Sequence, residues 1–191
     1  MPSKTRDSDR SLRMSIPRSP NMVKLVLSSI YSERSNWEFC RKKLDERFGA
    51  VDYQGSENAF SHTDYYCREM GSPLARQFLS FERLLNPGDL VQIKLFTNSL
   101  ETEVANDGNR SVNLDPGHLG MGQFVLATGK PAAHRIYLDQ GIYADLALIY
   151  ERGSFRALPW TYPDYALPEM IALFNRLREK LKAALSEPGE V

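Results

Sequence analysis

The sequence predicts an α+β protein: a ferredoxin-like (split β-α-β) antiparallel sheet, followed by a C-terminal β-meander and a closing helix. Three observations predict it. Apolar and amphipathic runs alternate in the order strand, helix, strand, strand, helix, strand. Turn chemistry at "DQG" and "ERGS" then cuts the following stretch into short strands. Finally, "LPEMIALFNRLREKLKAAL" carries one apolar stripe at helical spacing.

Each element has its own reason. "MVKLVLSSIY" (Met22 to Tyr31) is β-branched and apolar, as a buried strand requires. "SNWE" has the form of a capping box, with Ser35 as cap and Glu38 reaching back. The helix it opens puts Trp37, Cys40, Leu44 and Phe48 on one stripe, and Gly49 can close it with positive φ. "AVDYQGSENAF" is a weaker strand interrupted at Gly55, and "SHTDYYCREMGSP" a short helical turn capped by Thr63 or Asp64. "RQFLSFERLL" is the next strand, ended by "NPGD". Asp89 then caps a second helix with Leu90, Ile93, Thr97, Leu100 and Val104 on one side; "NDGN" stops it and "RSVNL" starts the fourth strand.

Asp115-Pro116-Gly117 has the residues of a type II turn: an acid that can bond the backbone, a fixed φ, then a glycine. From Leu119 the chain must return, as helix or strand, to about Lys130. In "HRIYLDQGIYADLALIYERGSFRALPW", a three-residue loop at "DQG" would set Arg135 opposite Asp145 and Tyr137 opposite Tyr143. "PWTYPDY" is an extended strap that packs its rings over the core, with stacking on a ligand as the alternative. In the closing helix Pro168 falls near N1, and Met170, Phe174, Leu177 and Leu181 form the stripe.

Composition bounds the function. A chain of 191 residues, 42% hydrophobic and 25% charged, suits a single domain over 22–185, with a disordered tail at 1–21 and a frayed end at 186–191. A formal net charge of zero supplies no field for nucleic acid or an acidic membrane. No apolar run is long enough to cross a bilayer, and "MPSKTRDSDRSLRMSIPRSPN" lacks the core of a secretory signal. Cys40 and Cys67 lack metal-type spacing and read as reduced thiols in a cytoplasmic protein, Cys40 buried.

The runs "TDYYCREMG", "FERL", "NLDPGHL", "LATGK", "HRIYL", "GIYAD" and "PWTYPDY" together resemble the bacterial family known as domain of unknown function 4416, from Met22 to about Leu181. The resemblance implies one intact domain. It brings no activity, cofactor or catalytic residue with it.

Candidate site residues therefore come from topology. The loop after the second strand and the start of the meander should meet at one rim, bringing Lys130, His134 and Arg135 near His62, Asp64 and Tyr66. Asp115 should sit at the opposite edge. Asp64, His134 and Glu82 are the candidates for acid–base work; Tyr66, Lys130, Arg135 and Asp115 are the candidates for holding a ligand. Glu82 lies inside an expected central strand, so it must pair with a cation or line a wet cavity. Each has a plainer role as well: a turn cap for Asp64, packing for His134, an Arg135–Asp145 pair across the hairpin. Lys94, Asn98 and Glu101 share a helix face and suit exposed pairing.

No cofactor is indicated. "TGK" lacks the earlier glycine of a phosphate loop and is followed by proline, and no histidine spacing argues for a metal. The favoured reading is a protein that binds or transforms a small anionic metabolite, bearing phosphate or carboxylate. The alternatives are an interaction or scaffold protein, with a homo-oligomer among its forms, and a single-stranded RNA-binding module. The last is disfavoured by zero net charge and the lack of an RNP1-type run.

Overall fold

The computed structural model describes residues 16–60 and 66–186. They form a mixed α+β fold, an open nine-stranded antiparallel sheet with four helices. In chain order these are β1 (Val23–Tyr31), α1 (Arg34–Phe48), β2 (Val51–Gln54), β3 (Asn58–Ala59), α2 (Cys67–Met70), β4 (Ala75–Leu85) and α3 (Leu90–Glu103). Then follow β5 (Val112–Leu119), β6 (Gln123–Thr128), β7 (Arg135–Asp139), β8 (Ile142–Glu151), β9 (Ser154–Ala157) and α4 (Pro168–Ser186). The sheet runs β2-β4-β1-β5-β6-β8-β7, with β3 also on β4 and β9 also on β8. Of the expected tail, 16–21 is exposed chain without regular structure; 1–15 and 187–191 lie outside the described residues.

Side-chain alternation along β1 sorts the core into two layers. Leu25, Leu27 and Tyr31 pack with Trp37, Cys40, Leu44 and Phe48 of α1 and with Ile93 and Leu100 of α3. Val26 points the other way and joins Phe78, Phe124, Tyr165, Phe174 and Leu177 under α4. The stripes expected for α1 and α3 are the buried ones, apart from Val104, which is half-buried at the end of α3. In α4, Leu173 takes the buried place expected for Met170, which is half-buried. Gly49 has φ of 86°. The meander register is also as expected, with Arg135 opposite Asp145 and Tyr137 opposite Tyr143.

Two expected caps are not made. Arg34 already belongs to α1, so Ser35 lacks the extended backbone a cap needs, and Glu38 pairs with Arg34 at 3.1 Å instead. Asp89 makes no side-chain cap bond. The turn before α3 is tied by Asn86, whose Oδ1 accepts from Gly88 N at 2.8 Å.

The Asp115-Pro116-Gly117 turn is a correction of larger consequence. These residues lie inside β5, opposite Ser28, Leu27 and Val26 of β1. The turn is further on, at Gly120–Gly122, where Gly120 N donates to Gln123 O at 2.8 Å. Pro116 is compatible with a strand here because β6 pairs with β5 only over Gly117, His118 and Leu119. At Gly117 a Cβ would meet Val125 O at 2.7 Å and the Phe124 ring at 2.8 Å, so glycine permits the close approach of β6. Beyond Gly117 the two strands part.

Candidate functional site

The parting of β5 and β6 makes a cavity of about 850 Å³. Asn113 and Asp115 line it from β5, and Leu126, Ala127 and Thr128 from β6. It reaches through the sheet. On one side lie Lys94, Asn98 and Glu101 of α3; on the other lie Arg76 of β4 and Tyr162–Tyr165 of the strap.

The α3 side replaces the missing strand pairing. Where β6 no longer reaches, Leu114 N donates to Glu101 Oε1 at 2.7 Å and Lys94 Nζ donates to Leu114 O at 2.8 Å. Lys94 and Glu101 are therefore buried, against the expectation of an exposed helix face; their seven-residue spacing brings both onto β5. Lys94 Nζ also stands 3.8 Å from Glu101 and 3.7 Å from Asp115. Burial raises the Glu101 pKa above the usual carboxylate range, although Lys94, the Leu114 amide and Arg110 favour its charge.

Arg110 organises the rim beside α3. It grips both oxygens of Glu69 at 2.7 Å and donates to Asn113 Oδ1 at 2.7 Å and Glu101 Oε2 at 3.2 Å. Those bonds hold Glu69 below the ordinary carboxylate range. Lys130 is within electrostatic reach of Glu69 as well, so two cations share this part of the rim.

The opposite wall is aromatic. Arg76 lies over the rings of Phe78, Tyr165 and Phe60, at 4.5, 5.1 and 5.4 Å, and its guanidinium bonds Ser28 Oγ and Asp164. Tyr66 and Tyr165 have pKa values raised by burial and by Asp115, which keeps both phenols protonated. The strap is pinned where β8 bulges opposite β6: Trp160 Nε1 donates to Leu146 O at 2.9 Å and Thr161 Oγ1 to Ala147 O at 2.5 Å. Only part of it packs as expected, since Tyr165 is buried but Trp160 and Tyr162 are exposed.

Of the candidates named from sequence, Tyr66, Lys130 and Asp115 line this one cavity. Asp115 is thus a correction: as part of β5 it stands beside Lys94, not at a far edge. Arg135 lies just behind the lining, bonding Asp145 at 2.9 Å, Lys130 O at 2.9 Å and Tyr162 Oη at 2.8 Å. Its pair with Asp145 is buried. His134 stacks on Trp160, centroids 5.3 Å apart, with Nε2 3.8 Å from Asp145. Glu82 is exposed toward the far end of β4, so it needs neither a cation nor a cavity. His62 and Asp64 lie outside the described residues.

Sequence reasoning missed Arg76 and Arg110, and read Glu101 only as part of an exposed helix face. The signal for Glu101 was present: an acid seven residues after a lysine on a helix that must cover the sheet. Arg76 sits in an apolar strand, and Arg110 in a turn with ordinary turn composition, so neither carried one. Among the described residues, no three His, Cys, Asp or Glu side chains are grouped to hold a metal ion, and no helix is long and apolar enough to cross a membrane.

No curated protein and no solved structure matches the chain. The family model described as Domain of unknown function (DUF4416) matches residues 21–181, most of the length, and the chain belongs to that family.

Proposed function

We propose that the cavity between β5 and β6 binds a small metabolite bearing a phosphate or carboxylate group. The observation that carries this reading is the meeting of Arg110 and Lys130 at the rim beside the protonated Tyr66 phenol. Arg110 bonds Glu69, Asn113 and Glu101, so an anionic group at this rim shares its guanidinium with Glu69 and draws on Lys130 and the Tyr66 hydroxyl. Deeper in, Asp115, Asp164 and Glu101 balance the cations and accept hydrogen bonds, so the ligand also carries hydroxyl or amino donors. The volume suits a metabolite of drug size. Acid–base work on such a ligand falls to Glu101 and Asp115, with Asp64 and His134 further candidates from the sequence.

The strand order β2-β4-β1-β5, with α1 and α3 crossing on one face, supports the split β-α-β reading of the first half. An RNA module of that type needs an open sheet face, whereas helices pack on both faces of this sheet.

The test is calorimetric titration of the full chain with inorganic phosphate, sugar phosphates, nucleotides and dicarboxylates. At least one class is expected to bind, with Lys130→Gln weakening it about tenfold, the loss of one charge-assisted contact. No heat from any class, or equal binding by the variant, overturns the reading.

A further inference from the structure

Four carboxylates line the cavity, and three are firmly engaged. Asp145 and Asp164 are bonded directly to the guanidinium groups of Arg135 and Arg76, and Glu101 accepts from Leu114 N and Arg110. Asp115 differs. Asn113 Nδ2 donates to its Oδ2 at 2.7 Å, whereas its Oδ1 accepts from no described residue and has Lys94 Nζ at 3.7 Å. Its side chain is 33% exposed, against 14% for Asp164, 7% for Glu101 and 4% for Asp145. With Lys94 so near and Arg76 within electrostatic reach, Asp115 suits a neutral N–H or O–H donor better than a further cation.

A second pair of groups lies across the gap on β6. Gly120 N donates to Gln123 O at 2.8 Å, and alternation from that pair turns the backbone groups of Val125, Ala127 and Gly129 toward β5. In the continued register Ala127 stands opposite Pro116, which has no N–H. Gly129 stands opposite Leu114, whose amide and carbonyl are taken by α3. The edge of β6 therefore presents the Ala127 carbonyl and the Gly129 amide side by side, an acceptor and a donor. The wall on the strap side is ring and hydrocarbon: Phe60, Tyr66, Tyr165, Ile30 and Leu126. A sugar would set several hydroxyls against that wall without acceptors. A flat heteroaromatic ring lays its face on the wall and turns its polar edge to Asp115 and β6, as unstacked bases are read.

We propose that the ligand is a mononucleotide whose base carries an exocyclic amino group, donated to Asp115 Oδ1, with the neighbouring base edge on Ala127 and Gly129. The inference rests on the anion-binding reading above, with the phosphate at Lys130 and Arg110. A cavity of about 850 Å³ holds a ligand of that size.

Calorimetry on the full chain compares adenosine, guanosine and cytidine monophosphates with uridine monophosphate and ribose 5-phosphate. At least one amino-bearing nucleotide is expected to bind at least about tenfold tighter than the last two. In Asp115→Asn the amide oxygen stays with Asn113 and the new NH₂ faces the base. Preference for the amino-bearing nucleotide over uridine monophosphate should then fall about tenfold, with ribose 5-phosphate bound as before and circular dichroism unchanged. Ribose 5-phosphate bound as tightly as every nucleotide, or dicarboxylates bound and phosphates not, overturns the nucleotide and leaves the anion-binding reading standing. Equal binding of amino-bearing and uridine nucleotides by the parent chain, or a preference that Asp115→Asn retains, overturns the inference as well. No heat from any of these ligands, inorganic phosphate and dicarboxylates included, removes both readings.

Discussion

Lys94 Nζ donates to the carbonyl oxygen of Leu114 at 2.8 Å, at the height where β6 has left β5. One lysine thereby ties off an unpaired, buried stretch of strand edge and stands between two carboxylates in the cavity wall. Lys94→Met keeps the buried stem and removes all three contacts. Glu101 and Asp115 would face each other without the cation, and breaking a buried ionic group in this way costs about 3–5 kcal/mol. Urea denaturation at neutral pH measures it. A loss below about 1 kcal/mol would mean that water satisfies Leu114 and the acids unaided.

Glu101 makes the fold pH-sensitive in a defined direction. Its folded pKa lies above the ordinary 4.5, so between those two values the native state holds more protons than the unfolded chain. Through this group, stability falls as pH rises across that window. Glu101→Gln removes the effect and retains an acceptor for Leu114 N. The stability of the variant relative to the parent should therefore increase with pH from 4.5 upward. A difference independent of pH would show that Glu101 is not perturbed.

Gly117→Ala tests the close approach of β6. The new methyl would stand 2.7 Å from a backbone oxygen, which cannot rotate away, and 2.8 Å from the Phe124 ring. Overpacking of this kind costs about 1–3 kcal/mol, read as a lowered thermal midpoint. Gly122, with nothing within 4 Å of the same added atom, is the control and should tolerate alanine without a clash.

Much of the fold was legible because it rests on local pattern. The stripes Trp37–Cys40–Leu44–Phe48 and Leu90–Ile93–Thr97–Leu100 identified their helices, and the "DQG" turn fixed the Arg135–Asp145 register. The site was legible only in part. Asp-Pro-Gly is turn chemistry by local preference, yet pairing with β1 along its whole length holds it extended. That tertiary override moved Asp115 from an edge into the cavity. Glu82 failed for a related reason: its place in an apolar run suggested burial, but β4 shifts register before its end and turns Glu82 and Arg83 outward. Arg76 became visible only when the strands it meets were placed, whereas Glu101 was visible on its helix face and only its burial was not.

The far end of β1 offers a test remote from the cavity. Lys24 is 1% exposed, and its Nζ bonds Asp52 Oδ2 at 2.7 Å and Phe81 O at 2.9 Å. Burial alone would raise the Asp52 pKa, but the hydrogen bonds from Lys24 and Ser80 outweigh it and hold it below 3.8. A carboxylate depressed in this way contributes stability above its ordinary pKa and loses it as pH falls through the lowered value. Asp52→Asn should therefore cost about 3–5 kcal/mol at neutral pH, because Lys24 stays buried without its counter-charge. The gap from the parent should narrow as pH drops below 3.8. Lys24→Met together with Asp52→Leu removes both charges, and urea midpoints should place it above Asp52→Asn alone. A double variant as unstable as the single one would show that the packing around Phe81, rather than the ion pair, holds this end of the sheet.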